Sequence, residues 1–377
     1  MRTLKALALV LVWGAMAQPS VAAGVWSKSK TERVDEIVRG FLAGRGENAP
    51  SAISAGVSID GELVVAEGWG EAQPGVPAGP DTQYQIGSLT KQFTAAAVLT
   101  LIERETSVAS VDTRLTLDKP LRDLFDGVAS WELPGAPPLT VRSLLTMTSN
   151  LPNFTAEPPP ETDPWGAMPA NRLLGEVKKL SPRAWPNSFS YSNTSYFLLS
   201  EILEMRAPDT AKFAGDSRYR AFLRSELFVP AGMAATGFAS DAAVTVATPT
   251  YLRRARFGKP DWFKGSGDVV STVRDLFAWD KALMEDRIVS PQVRKAMFAA
   301  SAPISPLLAY GMGFYVERAP GMTIYSHSGT VPGFTAFNAI IVETGKPGWI
   351  GITVLTNSDG IDDLQRLADA LAVVALE

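Results

Sequence analysis

Three short stretches of this chain hold residue types able to transfer acyl groups and protons. Ser88-Leu89-Thr90-Lys91 sets a hydroxyl and an amine three positions apart. On a helix that spacing brings both side chains to one face, one turn apart. The start of a helix adds free N–H groups and partial positive charge around the serine. A lysine kept neutral by partial burial accepts the serine proton and leaves an oxygen nucleophile. The plainer alternative is that Ser88 caps the helix. A second Ser-x-x-Lys, Ser27-Lys28-Ser29-Lys30, shows how cheaply the pattern arises. Context separates the two copies: Ser27 lies in a charged stretch, whereas Ser88 follows Gly87 and opens an apolar helix.

Tyr191-Ser192-Asn193 is the second stretch, between the polar segment Pro186-Asn187-Ser188 and an expected helix. Loops in that position commonly display reactive groups. A tyrosine with a lowered pKa shuttles a proton, and an asparagine amide binds a substrate carbonyl; the alternative is a simple capping sequence. His327-Ser328-Gly329 is the third, at the end of an expected strand. A lone histidine is more often a packed ring than a functional one. Gly329 adds to the case, because glycine within a strand marks the close approach of a ligand or another backbone. The next amide, that of Thr330, could join the Ser88 amide as a second donor to an oxyanion.

Composition narrows the remaining chemistry. The chain has 377 residues, 46% of them hydrophobic and 20% charged, enough for a sizeable globular core. Its 35 basic and 39 acidic side chains leave a net charge of −4, with no basic excess for phosphates, so nucleic-acid binding is not expected. There is no cysteine and only one histidine, which removes thiol nucleophiles, thiolate metal sites and histidine clusters. No EF-hand loop, G-x-S-x-G elbow, Walker A loop or G-x-G-x-x-G fingerprint occurs. The expectation is an enzyme without metal or cofactor, working with oxygen nucleophiles, Lys, Tyr and carboxylates.

The elements that must position these groups follow from pattern. Residues 1–23 read as a signal peptide: Arg2 and Lys5, an apolar run from Ala6 to Ala15, then Ser20-Val21-Ala22 or Val21-Ala22-Ala23 for cleavage. The protein is therefore expected outside the cytoplasm, periplasmic or extracellular, with no integral membrane span. A charged helix over Ser27–Arg39 is followed by strands at Ala52–Ile59 and Leu63–Trp69, joined by the hairpin dipeptide Asp60-Gly61. Phe93, Ala96, Ala97, Thr100 and Leu101 give helical spacing over Ser88–Glu103. Helices are expected at Val141–Thr148, Tyr196–Arg206, Tyr219–Leu227 and Val273–Glu285. The proline-rich Leu151–Pro169 cannot form one regular element. Strands return at Met322–Ser328, Phe334–Val342 and Trp349–Leu355, before a final helix over Asp362–Leu376. Strands at both ends with helices between give an α+β fold, one sheet built from both termini with a helical region inserted. The sheet part is expected at about 35–87 and 290–377, and the helical part at about 88–289.

Taken in order, Ser88-x-x-Lys91, Tyr191-Ser192-Asn193 and His327-Ser328-Gly329 resemble the three motifs of penicillin-recognising serine hydrolases. The Tyr-x-Asn and His-x-Gly forms resemble the branch of class C β-lactamases, serine D,D-carboxypeptidases, D-aminopeptidases and esterases. Leu144-Leu145-Thr146, Pro230-Ala231-Gly232-Met233 and Gly267-Asp268-Val269-Val270-Ser271-Thr272 resemble further landmarks, and the likeness covers about residues 35 to 375. It implies a β-lactamase/transpeptidase-like fold, an antiparallel sheet flanked by helices with an inserted all-helical region and the site in the cleft between. It further implies Ser88 as acylated nucleophile, Lys91 and Tyr191 as proton-transfer pair, and Asn193 holding the substrate amide. His327 would sit where many relatives have lysine, and the amides of Ser88 and Thr330, beside Gly329, would form the oxyanion hole. Which of Lys91 and Tyr191 is the acylation base stays open at this level. The chain departs from the usual His-Thr-Ser-Gly at Met147-Thr148-Ser149-Asn150, and has Ser195 and Ser200 where relatives commonly have glycine; Asn150 suits a left-handed turn. The implied activity is hydrolysis of a peptide or amide bond in a small-molecule or peptide substrate, D,D-carboxypeptidase-like. Carboxylesterase and class C-like β-lactamase activity are the alternatives on the same machinery, with a non-catalytic penicillin-binding module behind them. Phe154 and Trp165 are expected to shape the acyl-binding side.

Overall fold

The computed structural model describes residues 26–46, 49–108, 110, 113–156, 169–183, 188–209, 211–241, 247, 263–359, 361 and 363–377. The expected signal peptide and Trp165 lie outside them. Helix α1 (Lys28–Ala43) is capped by Ser27, whose hydroxyl accepts from the Lys30 amide at 3.3 Å. That second Ser-x-x-Lys is therefore a cap, as a charged surface helix requires. Strands β1 (Ala52–Ile59) and β2 (Glu62–Gln73) form a hairpin. Asp60 and Gly61 both take positive φ, 51° and 79°, which matches the twist of the flanking strands.

Two short strands follow, β3 (Val76–Pro77) and β4 (Tyr84–Gln85), then a tight turn at Gly87–Leu89 and helix α2 (Thr90–Val108). The middle of the chain gives α3 (Val141–Leu145), α4 (Ala170–Val177), α5 (Asn193–Arg206), α6 (Arg218–Leu223) and α7 (Val229–Ala231). The helix expected over Tyr219–Leu227 is divided, because Arg224–Phe228 widens into a π turn after α6. Strands β5 (Gly237–Phe238) and β6 (Val269–Ser271) precede α8 (Val273–Met284) and α9 (Pro291–Met297). Six strands and a helix complete the chain: β7 (Ala302–Pro303), β8 (Leu308–Tyr310), β9 (Tyr315–Ala319), β10 (Met322–Val331), β11 (Phe334–Glu343), β12 (Ile350–Thr356) and α10 (Leu364–Leu376).

The main sheet has nine antiparallel strands in the order β3-β2-β1-β12-β11-β10-β9-β8-β7. Early and late segments of the chain meet inside it, where β1 pairs with β12, as expected of one sheet built from strands at both ends. A second sheet, β4-β6-β5, links the segment before Ser88 to the one before α8. Helices α1 and α10 cover one face of the main sheet, with Val34, Val38, Leu367, Leu371 and Val374 packed on Ile53, Val57, Ile352 and Val354. Helix α8 covers the other face beside β1 and β12. Strands buried on both faces lose strict alternation, and all seven residues of β12 are buried.

Helix α2 departs from its expected one-sided pattern, since Thr90 through Leu101 are all buried. Helices α5, α6 and α9 pack around it. A helix buried all round must satisfy its polar side chains internally. Gln92 Oε1 accepts from Trp279 Nε1 at 3.0 Å and Thr94 donates to the Gly265 carbonyl at 2.8 Å, whereas Gln92 Nε2 and Thr100 Oγ1 have no hydrogen-bond partner among the described residues.

Candidate active site

The turn at Gly87–Leu89 presents Ser88. Gly87 takes φ +51°, and its preceding residue Ile86 supplies no side-chain cap, so Ser88 sits on a 3-10 turn before α2. Ser88 does not cap the helix; its hydroxyl meets two other side chains. Lys91 Nζ lies 2.9 Å from Ser88 Oγ, and the Tyr191 hydroxyl donates to the same Oγ at 2.8 Å. Asn193, the first residue of α5, places Oδ1 at 2.7 Å from Lys91 Nζ, and the Ser266 carbonyl lies at 2.8 Å. Both of those oxygens can only accept.

Burial drives the Lys91 amine well below its usual range, against an opposing pull from the Asp268 charge. A neutral amine has two N–H groups and one lone pair. The N–H groups donate to Asn193 Oδ1 and the Ser266 carbonyl, which leaves the lone pair for the Ser88 hydroxyl proton. Tyr191 is displaced the other way: burial first, and then Tyr315, hold its phenol well above the usual value, despite its bond to Ser88. The tyrosine with a lowered pKa expected from sequence is therefore corrected to a neutral phenol that donates. With Lys91 deprotonated these contacts fit one another: Ser88 Oγ accepts from Tyr191, and its own proton faces the free lone pair of Nζ at 2.9 Å.

Strand β10 brings the third motif to this turn. A Cβ at Gly329 would stand 2.0 Å from the Ile86 carbonyl oxygen and 3.0 Å from the Ser88 nitrogen, while a Cβ at Gly87 would stand 2.9 Å from the Thr330 nitrogen. The two glycines thus let the Ser88 and Thr330 amides approach each other closely. His327 is on the same strand, 1% exposed. Its ring lies among Tyr191, Tyr310 and Tyr315, with centroids 6.2, 5.9 and 5.3 Å away. Nδ1 is 2.6 Å from the Ser328 carbonyl, so it carries the proton, and Nε2 accepts from the Tyr310 hydroxyl at 3.2 Å. Burial first, and then the neighbouring Lys91, push His327 down to about 3. It is a neutral, engaged ring.

All seven residues singled out in the sequence, Ser88, Lys91, Tyr191, Asn193, His327, Gly329 and Thr330, are brought to this one region. Other participants carried no readable signal. Thr155 accepts from Asn193 Nδ2 at 2.7 Å and donates to Asn153 Oδ1 at 2.9 Å, fixing which way the Asn193 amide points. Ser266 acts through its backbone carbonyl. Phe154, expected beside the substrate, is buried and packs edge-on against Phe197 at 6.0 Å; its backbone amide is tied to Thr194. Asn150 does take the left-handed turn, with φ 53°, and Met147 takes φ 58° while its sulfur accepts from the Ser192 amide at 3.3 Å. Ser195 bonds Ser149 at 2.9 Å, and Ser200 turns back to the Phe197 carbonyl at 2.7 Å, so neither added hydroxyl is stranded.

The family model for Beta-lactamase matches residues 34–376, and the chain belongs to that family. Penicillin-binding protein 4* of Bacillus subtilis is 28% identical over 71% of this chain and 60% of its own. A D-aminopeptidase of Gluconobacter oxydans is 26% identical over 73% of this chain and 50% of its own. This chain thus spans only half to three fifths of the length of those relatives. Among solved structures, the octameric penicillin-binding protein homologue from Pyrococcus abyssi superposes with a TM-score of 0.72 at 26% identity, covering 91% of this chain and 77% of that one. D-amino acid amidase from Ochrobactrum anthropi, complexed with D-phenylalanine, has the same fold, with a TM-score of 0.72 at 22% identity over 90% of this chain and 98% of that one.

Proposed function

We propose that the protein is a serine hydrolase that cleaves a peptide or amide bond through an acyl-enzyme on Ser88, acting on substrates built from D-amino acids. The observation that carries this reading is the triple engagement of Lys91 Nζ. Nζ lies 2.7 Å from Asn193 Oδ1 and 2.8 Å from the Ser266 carbonyl, two oxygens that can only accept, and 2.9 Å from Ser88 Oγ, so a deprotonated amine turns its lone pair to the Ser88 hydroxyl. Ser88 Oγ attacks the substrate carbonyl while its proton passes to Lys91. The developing oxyanion is taken by the amides of Ser88 and Thr330. Collapse breaks the C–N bond, and the proton leaves with the amine by way of the Lys91 and Tyr191 pair. Water then hydrolyses the ester on Ser88. The names of the D-aminopeptidase and D-amino acid amidase relatives support the D-amino-acid part of this reading.

Within that class, one observation separates two forms of the reaction. A carboxypeptidase gains from a cation that anchors the terminal carboxylate. His327 is neutral, with both ring nitrogens already engaged, and supplies none. This favours D-amino-acid amides and N-terminal D-residues over a D,D-carboxypeptidase, with an esterase on the same machinery as the second reading. We place the protein outside the cytoplasm on the export signature of residues 1–23. No helix among the described residues is long and apolar enough to cross a membrane.

A panel of a D-amino-acid amide, a D-alanyl-D-alanine peptide, a benzylpenicillin and a p-nitrophenyl ester tests the reading. The expected result is turnover of the D-amide and the ester, abolished in Ser88→Ala. Turnover confined to penicillin or to the peptide with its free carboxylate would overturn it.

A further inference from the structure

Among the described residues, Asp268 is a buried carboxylate beside this site that the proposed chemistry leaves unused. It is 3% exposed and sits just after the turn Phe263–Gly267. Its Oδ1 accepts from the Gly265 amide and from the Tyr219 hydroxyl, each at 3.1 Å, and its Oδ2 has no hydrogen-bond partner among the described residues. An unpaired carboxylate oxygen in the interior is costly, and its retention calls for a reason.

The turn it holds supplies that reason. Ser266 and Gly267 amides both bond the Phe263 carbonyl at 2.8 Å, and the Gly265 carbonyl accepts from Thr94 of α2. Gly265 takes φ +72°, and a Cβ there would lie 2.6 Å from the Tyr196 carbonyl oxygen. The turn is thus wedged between α2 and α5, and the Ser266 carbonyl it projects is the one on Lys91 Nζ. The facing groups are few. Tyr219 and Arg220 of α6 act on the carboxyl, and the carboxyl charge in turn acts on Lys91 of α2. Lys264 in the same turn pairs instead with Glu201 and Glu204 of α5, at 2.9 and 3.5 Å. Tyr191, Tyr196 and His327 surround Lys91 itself.

We propose that Asp268 is a positioning residue for Lys91: its side chain fixes the turn that holds the Ser266 carbonyl on Nζ, and its charge strengthens the amine as a base. This rests on Ser88 and Lys91 acting as proposed above. The sign follows from charge alone. A buried negative charge favours the protonated amine, so removing it makes Lys91 a weaker base that stays neutral to lower pH. Burial pushes Asp268 itself up to about 6, against the pull of Arg220 and its hydrogen bonds, so at neutral pH it is ionised.

The test is the pH profile of kcat/KM for p-nitrophenyl acetate in wild type, Asp268→Asn and Asp268→Glu, each checked for folding by circular dichroism. Wild type must first show a profile that Ser88→Ala abolishes; failure there removes the underlying reading and this one with it. In Asp268→Asn the plateau is expected to fall roughly tenfold, and the acid limb to move to lower pH by about one pH unit, the low end for a nearby opposite charge. Asp268→Glu keeps the charge and is expected to keep the limb in place while the plateau falls. An Asp268→Asn profile that coincides with wild type, or a plateau that falls with the limb unmoved, would overturn the proposal. Should Asp268→Asn not fold, Asp268→Ser takes its place; if neither neutral variant folds, Asp268 serves the fold and the proposal fails.

Discussion

The closeness of strand β10 to the Ser88 turn makes Gly329→Ala a demanding perturbation. One methyl is added, and it falls 2.0 Å from the Ile86 carbonyl oxygen and 3.0 Å from the Ser88 nitrogen. Both are backbone atoms, which cannot rotate aside. To restore an ordinary contact, strand and turn must part by more than about 1 Å, given that real Cβ atoms rarely come under 3.4 Å. The parted elements carry the Thr330 and Ser88 amides, so the pair proposed to hold the oxyanion is pulled out of register. Displacing a catalytic geometry by about 1 Å costs roughly 10²-fold in rate, and losing one oxyanion donor costs roughly 10²–10³-fold. We expect kcat for p-nitrophenyl acetate to fall by about 10²-fold or more. Overpacking at such a site costs about 1–3 kcal/mol of stability, read as a lower urea midpoint. The steady-state assay is run well below that midpoint so that folding and chemistry are scored separately. A folded Gly329→Ala protein with kcat within threefold of wild type would refute the reasoning, because the two amides would then not be joint donors.

Tyr191→Phe removes the phenol that donates to Ser88 Oγ. Turnover of a D-amino-acid amide, whose leaving nitrogen needs a proton, is expected to drop by roughly 10²-fold; hydrolysis of a p-nitrophenyl ester, whose leaving group does not, drops far less, and equal losses would contradict the role. His327→Gln is read by urea unfolding across pH. Burial holds His327 at about 3 in the folded protein, against about 6.5 in an unfolded chain. Between those values the unfolded state binds more protons at this position, so acidification removes wild-type stability by up to about 1.4 kcal/mol per pH unit, an effect absent from the variant. Asp268 and Asp369, both pushed up to about 6, work in the opposite sense but are common to both proteins. Parallel pH dependences would contradict the neutral, buried ring.

Much of this architecture was legible in the residues. The positive-φ pair Asp60-Gly61 announced its hairpin, the apolar runs at 334–342 and 349–355 announced central strands, and Leu364, Leu367, Leu371 and Val374 announced the last helix. What escaped was short or lacked a period. Strands β4, β5 and β6 have two or three residues each, and the edge strand β7 and its neighbour β8 are no longer; such lengths leave no alternation to read. Helix α9 starts with Ser290 as cap and Pro291 at its first turn, a readable signal, but runs only seven residues. At the site, side-chain types located Ser88, Lys91, Tyr191, Asn193 and His327, because each chemistry needs its own functional group. The groups that tune them were hidden. Ser266 contributes a backbone carbonyl that any residue could supply, and the protonation states of Tyr191 and His327 depend on burial that no local spacing encodes.

The most direct test of the central claim is intact-mass spectrometry with peptide mapping after exposure to a fluorophosphonate probe, on wild type and Ser88→Ala. One equivalent bound to wild type, mapped to Ser88 and absent from the variant, is the result expected of an activated serine facing a neutral Lys91. A label on another residue, or equal labelling of Ser88→Ala, would contradict Ser88 as the nucleophile.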